Sequence, residues 1–185
     1  MSTTLGTVTI RRAVPADAAA LAQLAARTFA DTFGAYNDPQ DMRTHLSAAF
    51  GVRQQAAELA DPHAVTLLAE RDDVAVGFAQ VRRNPPPSGI IAEQSIELQR
   101  FYVDRNAHGT GLAQRLMQAA REAARGLGGA RLWLGVWERN ARAIAFYAKE
   151  GFVDVGSKHF DVGSDRQTDR VLVAELGAPA RELGG

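Results

Sequence analysis

A loop with two glycines lies between an apolar stretch that ends at Val103 and a long amphipathic segment; it reads His-Gly-Thr-Gly-Leu-Ala over residues 108–113. Glycine lets the backbone approach a ligand closely, and the N-terminus of a helix presents unpaired N–H groups and a positive dipole end to an anion. The loop therefore predicts a phosphate site. A P-loop would need a Gly-Lys pair, which the chain lacks, and a dinucleotide fingerprint would need glycine where the chain has Gln114. A turn that only connects a strand to a helix is the alternative.

A second pattern begins at Asn140 and continues with Ala143, the aromatic pair Phe146-Tyr147 and the pair Gly151-Phe152. With both patterns in view, the chain resembles the GCN5-related N-acetyltransferase (GNAT) superfamily over about residues 8–175. Each pattern is moderately specific, and the two at this separation are strongly so. The resemblance implies an acetyl-CoA-dependent N-acetyltransferase.

The glycine loop fills the family's pyrophosphate signature, Q/R-x-x-G-x-G/A, except that His108 stands at the first position. An unperturbed histidine is mostly neutral at pH 7, so the usual charge at that position is in doubt, and Arg105 is a nearby cation that could replace it. Residues 96–103 and 167–169 are similar to the branch that includes bacterial spermidine/spermine acetyltransferases.

The resemblance implies how acetyl-CoA would be held. In the family, loop N–H groups bind the pyrophosphate, the preceding strand end pairs with the pantetheine arm like an added β-strand, and the asparagine of the second pattern reaches the cofactor. The matching positions in this chain, together with the tyrosine at the sulfur, are Phe101, Tyr102, Val103, His108, Gly109, Thr110, Gly111, Leu112, Ala113, Asn140 and Tyr147. Core packing of the strand end and a helix N-cap at Asn140 are the alternative roles.

Acyl transfer from a thioester to an amine needs a deprotonated amine, a polarised carbonyl, a stabilised oxyanion and a proton for the leaving thiolate. The chain has no cysteine and no G-x-S-x-G pattern, so direct attack by the amine is favoured over an acyl-enzyme. Tyr147 matches the family tyrosine that protonates the sulfur. A phenol titrates near ~10 and carries its proton at neutral pH. Packing of its ring against the sheet is the alternative.

Glu97 matches the position where some family members carry a general-base glutamate. Strand alternation predicts that it shares a face with Phe101 and Val103. An exposed carboxylate or an ion-pair partner is an equally good interpretation, and many family members use water chains instead. We therefore predict two catalytic residues, Tyr147 as acid and Glu97 as base.

The composition excludes several other classes of protein. The 185 residues include 21 basic and 21 acidic ones, so the formal net charge is zero, and we expect no nucleic-acid partner. The chain has no cysteine, and its four histidines show no metal-ligand spacing, so we expect no metal. Neither a secretory signal nor a stretch long and apolar enough to cross a membrane is present, which favours a cytoplasmic protein with no membrane contact.

Hydrophobic periodicity predicts about seven strands and about four helices. The predicted strands are 7–11, 64–70, 74–83, 96–103, 131–137, 152–161 and 168–175, and the helices begin near Pro15, Pro39, Leu112 and Asn140. The strand-helix-strand order in the middle predicts parallel neighbours there and antiparallel pairs at both ends. We expect one α/β (α+β) domain over residues 1–176, with a mixed central sheet, and a frayed tail over 177–185.

The acceptor is expected to be a primary amine of a small molecule, with a polyamine as one candidate. Specificity should lie in the first two helices and the late loops, where the predicted wall residues are Phe33, Tyr36 and His159. Acetylation of a protein terminus or lysine is an alternative, and so is a CoA-binding sensor without catalysis. The presence of Tyr147 and Glu97 speaks against the sensor. The sequence leaves a homodimer open.

Overall fold

The computed structural model describes residues 7–35, 38–90, 93–162 and 165–177. Within these ranges the strands are β1 (Val8–Arg12), β2 (Ala64–Arg71), β3 (Val74–Arg82), β4 (Ser95–Val103), β5 (Arg131–Trp137), β6 (Val153–Val162) and β7 (Asp165–Glu175). The α-helices are α1 (Ala18–Phe33), α2 (Pro39–Phe50), α3 (Val52–Leu59), α4 (Leu112–Gly126) and α5 (Ala141–Lys149). Of the predicted tail over 177–185, all but Gly177 lies outside the described residues.

The seven strands form one mixed sheet in the order β1-β2-β3-β4-β5-β7-β6, which confirms the predicted fold class. The helical region predicted after Asp38 is two helices, α2 and α3, because Gly51 between them has an extended backbone with ψ 151°. Asp38 caps α2 by accepting hydrogen bonds from the backbone N–H groups of Gln40 and Asp41.

Helices cover both faces of the sheet. On the face covered by α4 and α5, called the α4 face below, the core includes Leu116, Met117 and Leu134. On the face covered by α1, α2 and α3, called the α1 face, it includes Leu24 and Phe78. The sheet is therefore buried on both sides, as expected where a parallel pair needs a helical crossover.

The sheet opens between its two parallel strands. β4 and β5 pair only where residues 95–97 lie beside residues 131–133, and the other neighbouring strands are antiparallel. This arrangement confirms the predicted parallel neighbours in the middle and antiparallel pairs at the ends. Beyond these pairs the strands diverge, so the β5-facing edge of residues 98–103 forms no ladder with β5.

β4 contains a β-bulge at Gln99. Gln80 of β3 lies opposite Arg100, whereas the next residue, Val81, lies opposite Leu98. A step of one residue along β3 thus corresponds to a step of two residues along β4, and Gln99 has no partner on β3. Such an extra residue reverses the alternation of side chains along the strand.

The bulge makes the predicted facing of Glu97 wrong. Phe101 and Val103 pack into the core of the α4 face, and so does Leu98. Glu97 is the neighbour of Leu98 and therefore points to the opposite side, the α1 face, where Tyr102 packs. Period-two counting failed because it assumes that the ladder is unbroken between residues 97 and 101.

Candidate active site

A cavity of about 810 Å³ occupies the opening between β4 and β5. Phe101 and Tyr147, from the core of the α4 face, line it together with Tyr102 and Trp137, from the core of the α1 face. The cavity therefore reaches both sides of the sheet. Both predicted catalytic residues, Tyr147 and Glu97, line it.

A smaller cavity of about 210 Å³ lies at the glycine loop. Gly109, Gly111 and Arg142 line it. Residues that line both cavities, Val103 and Ala113 among them, show that the two spaces adjoin. A ligand that extends from the loop into the sheet opening would pass through both.

The glycine loop has the conformation that its residue types predict. Gly109 and Gly111 have φ of 76° and 78°, in the left-handed region that strains other residues, and a Cβ at either would meet nothing within 4 Å. The Thr110 hydroxyl donates to the Ala107 carbonyl oxygen at 2.7 Å and fixes the turn between them. Helix α4 begins at Leu112 without a side-chain cap, so its first N–H groups remain available to an anion.

His108 has a structural role that the sequence did not reveal. Its Nε2 lies 2.9 Å from the carbonyl oxygen of Val103, and since a carbonyl can only accept, Nε2 is the donor. This hydrogen bond ties the start of the glycine loop to the end of β4. The ring is exposed and lines both cavities.

Asn140 caps helix α5, which carries Tyr147. Its Oδ1 accepts a hydrogen bond from the backbone N–H of Ala143 at 3.1 Å, as expected of an N-cap. Asn140 also lines the large cavity, about two turns from Tyr147 along the same helix. The capping role is therefore present in the structure, and the cofactor contact of the Asn140 side chain stays a prediction.

Tyr147 is buried in a group of aromatic rings at the cavity. The centroids of the Phe146 and Phe152 rings lie 5.5 Å from its own, and that of Phe101 lies at 6.3 Å. Burial raises the pKa of Tyr147 above the ordinary phenol value, because a phenolate would lose its hydration. The hydroxyl therefore keeps its proton throughout the neutral range and can act as an acid.

Glu97 is 8% exposed and is held by a neighbouring loop. Its Oε2 accepts a hydrogen bond from Asn84 Nδ2 at 2.8 Å, and the Asn84 carbonyl accepts one from Trp133 Nε1 at 2.8 Å. One carboxylate oxygen is thus engaged, and the side chain is fixed at the narrow end of the opening, where β4 and β5 last pair.

Two ionisable residues to which the sequence gave no role also line the large cavity: Asp169 on β7 and Lys158 on β6. They lie side by side in the ladder, and Asp169 is also opposite Trp137 on β5. Asp169 stands two positions before the fully buried Val171, so strand alternation was the signal that could have placed it inward.

Arg100 anchors the helices of the α1 face to β4. Its guanidinium donates to the two carboxylate oxygens of Glu58 at 2.7 and 2.9 Å and to the Ala49 carbonyl at 3.0 Å, and it lies 4.6 Å from the centre of the Phe50 ring. Arg100 also lines the cavity, as does His45. Burial of the His45 ring lowers its pKa, and the charge of Arg100 adds to this effect. Nothing in the local sequence indicates this pairing with Glu58.

The structure does not bring a predicted acceptor-wall side chain to the cavity within the residues that it describes. Tyr36 and the side chain of Phe33 lie outside the described residues. His159 is exposed, and alternation along β6 places it on the face opposite Lys158, so the structure does not bring it to the cavity. The α1 and α2 residues that do line the cavity include Thr28, Asp31 and His45.

The comparisons with known proteins agree with this arrangement. The family model of the acetyltransferase (GNAT) family matches residues 20–152. An uncharacterised N-acetyltransferase of Mycobacterium tuberculosis is 35% identical over 160 residues, which are 86% of this chain and 98% of that protein. One from Lactobacillus delbrueckii is 32% identical over 149 residues, 80% of this chain and 86% of its own length. The chain therefore belongs to the GNAT family of acetyltransferases and is an acyltransferase.

Solved structures share the fold. PaiA N-acetyltransferase from Thermoplasma acidophilum, in complex with coenzyme A, has a TM-score of 0.73 at 18% identity and covers 91% of this chain and 99% of its own. A GCN5-related N-acetyltransferase from Rhodopseudomonas palustris has a TM-score of 0.70 at 20% identity, with 95% and 99% covered. At these identities the likeness concerns the fold.

Two kinds of feature are absent from the part of the chain that the structure describes. It contains no group of three or more histidine, aspartate or glutamate side chains that could hold a metal ion. No helix within it has the length and apolar character that a membrane crossing needs.

Proposed function

We propose that this chain transfers an acetyl group from acetyl-CoA to a primary amine of a small molecule by direct attack of the amine. The observation that carries the proposal is the cavity through the sheet, which joins the glycine loop on one side to a carboxylate-lined space on the other. Two substrates that enter from opposite faces would meet beside Tyr147 and Glu97.

The residues at the loop fit the charged part of the donor. Gly109, Gly111 and the uncapped start of α4 offer backbone N–H groups and open space to a pyrophosphate. Arg105 and Arg142 line the adjoining cavity and add positive charge. When bound, acetyl-CoA would supply the thioester carbonyl and a thiolate leaving group.

The edge of β4 fits the extended part of the donor. The backbone groups of Phe101, Tyr102 and Val103 that face β5 form no ladder with it, because the pairing ends at Glu97. An extended ligand arm could pair with this edge like an added strand. The chain's own residues would thereby orient the donor along the opening of the sheet.

Tyr147 would give its hydroxyl proton to the leaving sulfur. The raised pKa keeps that proton in place at neutral pH, and the sulfur can accept it as negative charge develops there while the C–S bond breaks. The surrounding aromatic rings exclude water from this proton transfer. Glu97, as a buried carboxylate on the acceptor side, would help the amine lose its proton.

A small amine is the acceptor class that the lining supports. The carboxylates Asp31, Glu97 and Asp169 line the cavity and attract an ammonium group. A polyamine belongs to this class. Acetylation of a protein terminus remains the second candidate, and a panel that includes peptides separates the two.

The first test is release of free thiol from acetyl-CoA across a panel of amines, amino acids, aminoglycosides, polyamines and peptides. We expect a small primary amine to give the highest kcat/KM. Intact-protein mass spectrometry with acetyl-CoA alone should show no acetyl adduct that passes to the amine. Activity restricted to peptides would contradict the small-molecule acceptor, and a kinetically competent adduct would contradict direct attack.

The second test is Tyr147→Phe, which removes only the hydroxyl. We expect kcat to fall about 10²–10⁴-fold, the usual effect of losing one proton-transfer partner, while the Kd for CoA stays nearly the same. Phe146→Leu, which changes the neighbouring ring and removes no acidic proton, is the comparison for packing effects. Full activity of Tyr147→Phe would assign the proton to water.

A further inference from the structure

Asp169 has a buried carboxylate oxygen with no partner in the described part of the chain. The residue is 6% exposed, and its Oδ1 makes no hydrogen bond there. Buried polar atoms are nearly always paired, so an orphaned carboxylate oxygen needs an explanation. Because Asp169 also lines the large cavity, a ligand in that cavity is the partner that its position allows.

The Asp169 carboxylate lies against Gly135 of β5, where the absence of a side chain leaves space for it. A Cβ on Gly135 would lie 3.0 Å from Asp169 Oδ2 and 2.5 Å from the Cε atom of Lys158. Any other residue at this place on β5 would push both side chains aside. Because Gly135 has no side chain, the ammonium group of Lys158 on β6 and the carboxylate of Asp169 on β7 can lie together at the wall of the cavity.

Glu97 is a second buried carboxylate of the cavity, and it differs from Asp169 in its hydrogen bonds. Glu97 Oε2 is engaged by Asn84 Nδ2 at 2.8 Å, whereas Asp169 Oδ1 is free to accept. A buried carboxylate oxygen that no group donates to is destabilised until a donor reaches it, and the ammonium group of an acceptor is such a donor.

We propose that Asp169 binds the ammonium group of the acceptor and takes its proton, so that Asp169 is a catalytic residue of the acetyl transfer. This inference rests on the proposed function and gives the role of base to Asp169 in place of Glu97. One N–H bond of the ammonium breaks and one O–H bond forms on Oδ1, which leaves a lone pair on nitrogen. That pair forms the N–C bond to the acetyl carbon as the C–S bond breaks. Tyr147 protonates the thiolate, and its phenolate oxygen regains a proton when the nitrogen loses its second one. The first proton, held on Asp169, leaves to water, so one proton is released for each acetyl group transferred.

The electrostatic surroundings suit this role at neutral pH. Burial raises the pKa of Asp169 to about 6, and the charge of Lys158 limits the rise. The carboxylate is thus ionised at pH 7 and a stronger base than an exposed aspartate. Lys158 faces it from β6. The other ionisable residues that line the cavity are Asp31, His45, Glu97, Arg100, Tyr102, Arg105, His108, Arg139, Arg142 and Tyr147.

The test compares pH profiles of kcat/KM for the best amine of the panel. We expect the kcat/KM of the wild type to fall as the pH falls through about 6, because a protonated Asp169 cannot accept a proton. This decrease is the acidic limb of the profile. Asp169→Asn should lower kcat/KM at pH 7 by about 10²–10⁴-fold and remove this limb, with an unchanged Kd for CoA. Lys158→Met should move the limb to higher pH, since it removes the charge that favours the carboxylate. Asp161→Asn, at an exposed position of β6, is the matched control.

A second measurement does not depend on turnover. The carbon-13 signal of the Asp169 carboxyl is followed by pH titration with and without propylamine, and bound propylammonium should lower its apparent pKa. The proposal would be overturned by an Asp169→Asn variant that keeps the acidic limb and loses less than about tenfold in kcat/KM. It would also be overturned if Glu97→Gln removed the acidic limb while Asp169→Asn left it in place. If the wild type acetylates no amine of the panel, the proposed function fails, and the carboxyl titration alone decides whether Asp169 binds an ammonium.

Discussion

Replacing Asp169 with asparagine is expected to stabilise the folded protein at neutral pH, apart from any effect on catalysis. The pKa of this carboxyl rises from 3.8 to about 6 on folding, because the buried site disfavours its charge. The folded state then holds the proton more tightly than the unfolded state. The contribution of Asp169 to the free energy of unfolding therefore falls as the pH rises from 3.8 to about 6 and changes no further above that range.

The size of the effect follows from the pKa difference. A shift of one unit corresponds to about 1.36 kcal/mol, so the charge on Asp169 costs about 3 kcal/mol at pH 7.5 and about 1 kcal/mol at pH 4.5. Asparagine has nearly the same shape as a protonated aspartic acid and carries no charge. We expect the advantage of Asp169→Asn over the wild type to grow by about 2 kcal/mol between these two pH values.

Urea unfolding at several pH values, followed by circular dichroism and by fluorescence, measures this difference. Trp133 and Trp137 are 2% and 7% exposed and report the loss of burial. Asp161→Asn is the control, because its side chain is 66% exposed and its charge stays hydrated in both states. A difference between Asp169→Asn and the wild type that does not change with pH would refute the reasoning, and so would a variant that is less stable at pH 7.5 than the wild type.

Three further predictions follow from the glycine loop and from the buried ion pair. Gly111→Val should raise the Kd for CoA at least about tenfold, because a φ of 78° strains a β-branched residue and its side chain would fill the space over the loop. Calorimetry measures this, with Gly126→Ala at the other end of α4 as control, and equal affinities would contradict it. His108→Ala should raise the Kd for CoA, because it removes the hydrogen bond that ties the start of the glycine loop to the carbonyl of Val103. An unchanged Kd would show that this hydrogen bond is not needed to position the loop. Arg100→Met should lower the free energy of unfolding by about 3–5 kcal/mol, because it leaves Glu58 without its cation. In urea unfolding, the double variant with Glu58→Gln should recover part of this loss. Additive losses would show that the pair is not coupled.

The sequence by itself determined the features whose energetics are local. The positive φ of Gly109 and Gly111, the cap at Asn140 and the break at Gly51 each depend on residues within about one turn, so residue type is enough to predict the first two. The order of strands and helices likewise follows from periodicity. Together with the two family patterns, these features gave the fold, the phosphate loop and the place of Tyr147 in the cavity.

Only the tertiary structure decided which side chains face the reaction space. The bulge at Gln99 turned Glu97 to the α1 face, and its position depends on the summed packing of β3 against β4 rather than on β4 alone. Asp169 and Lys158 reach the cavity because Gly135, far away in sequence, leaves room for them. The cost of burying a charge depends on the neighbours that surround it, and those neighbours come from separate strands. A single strand's pattern therefore cannot show that its carboxylate lies in the site.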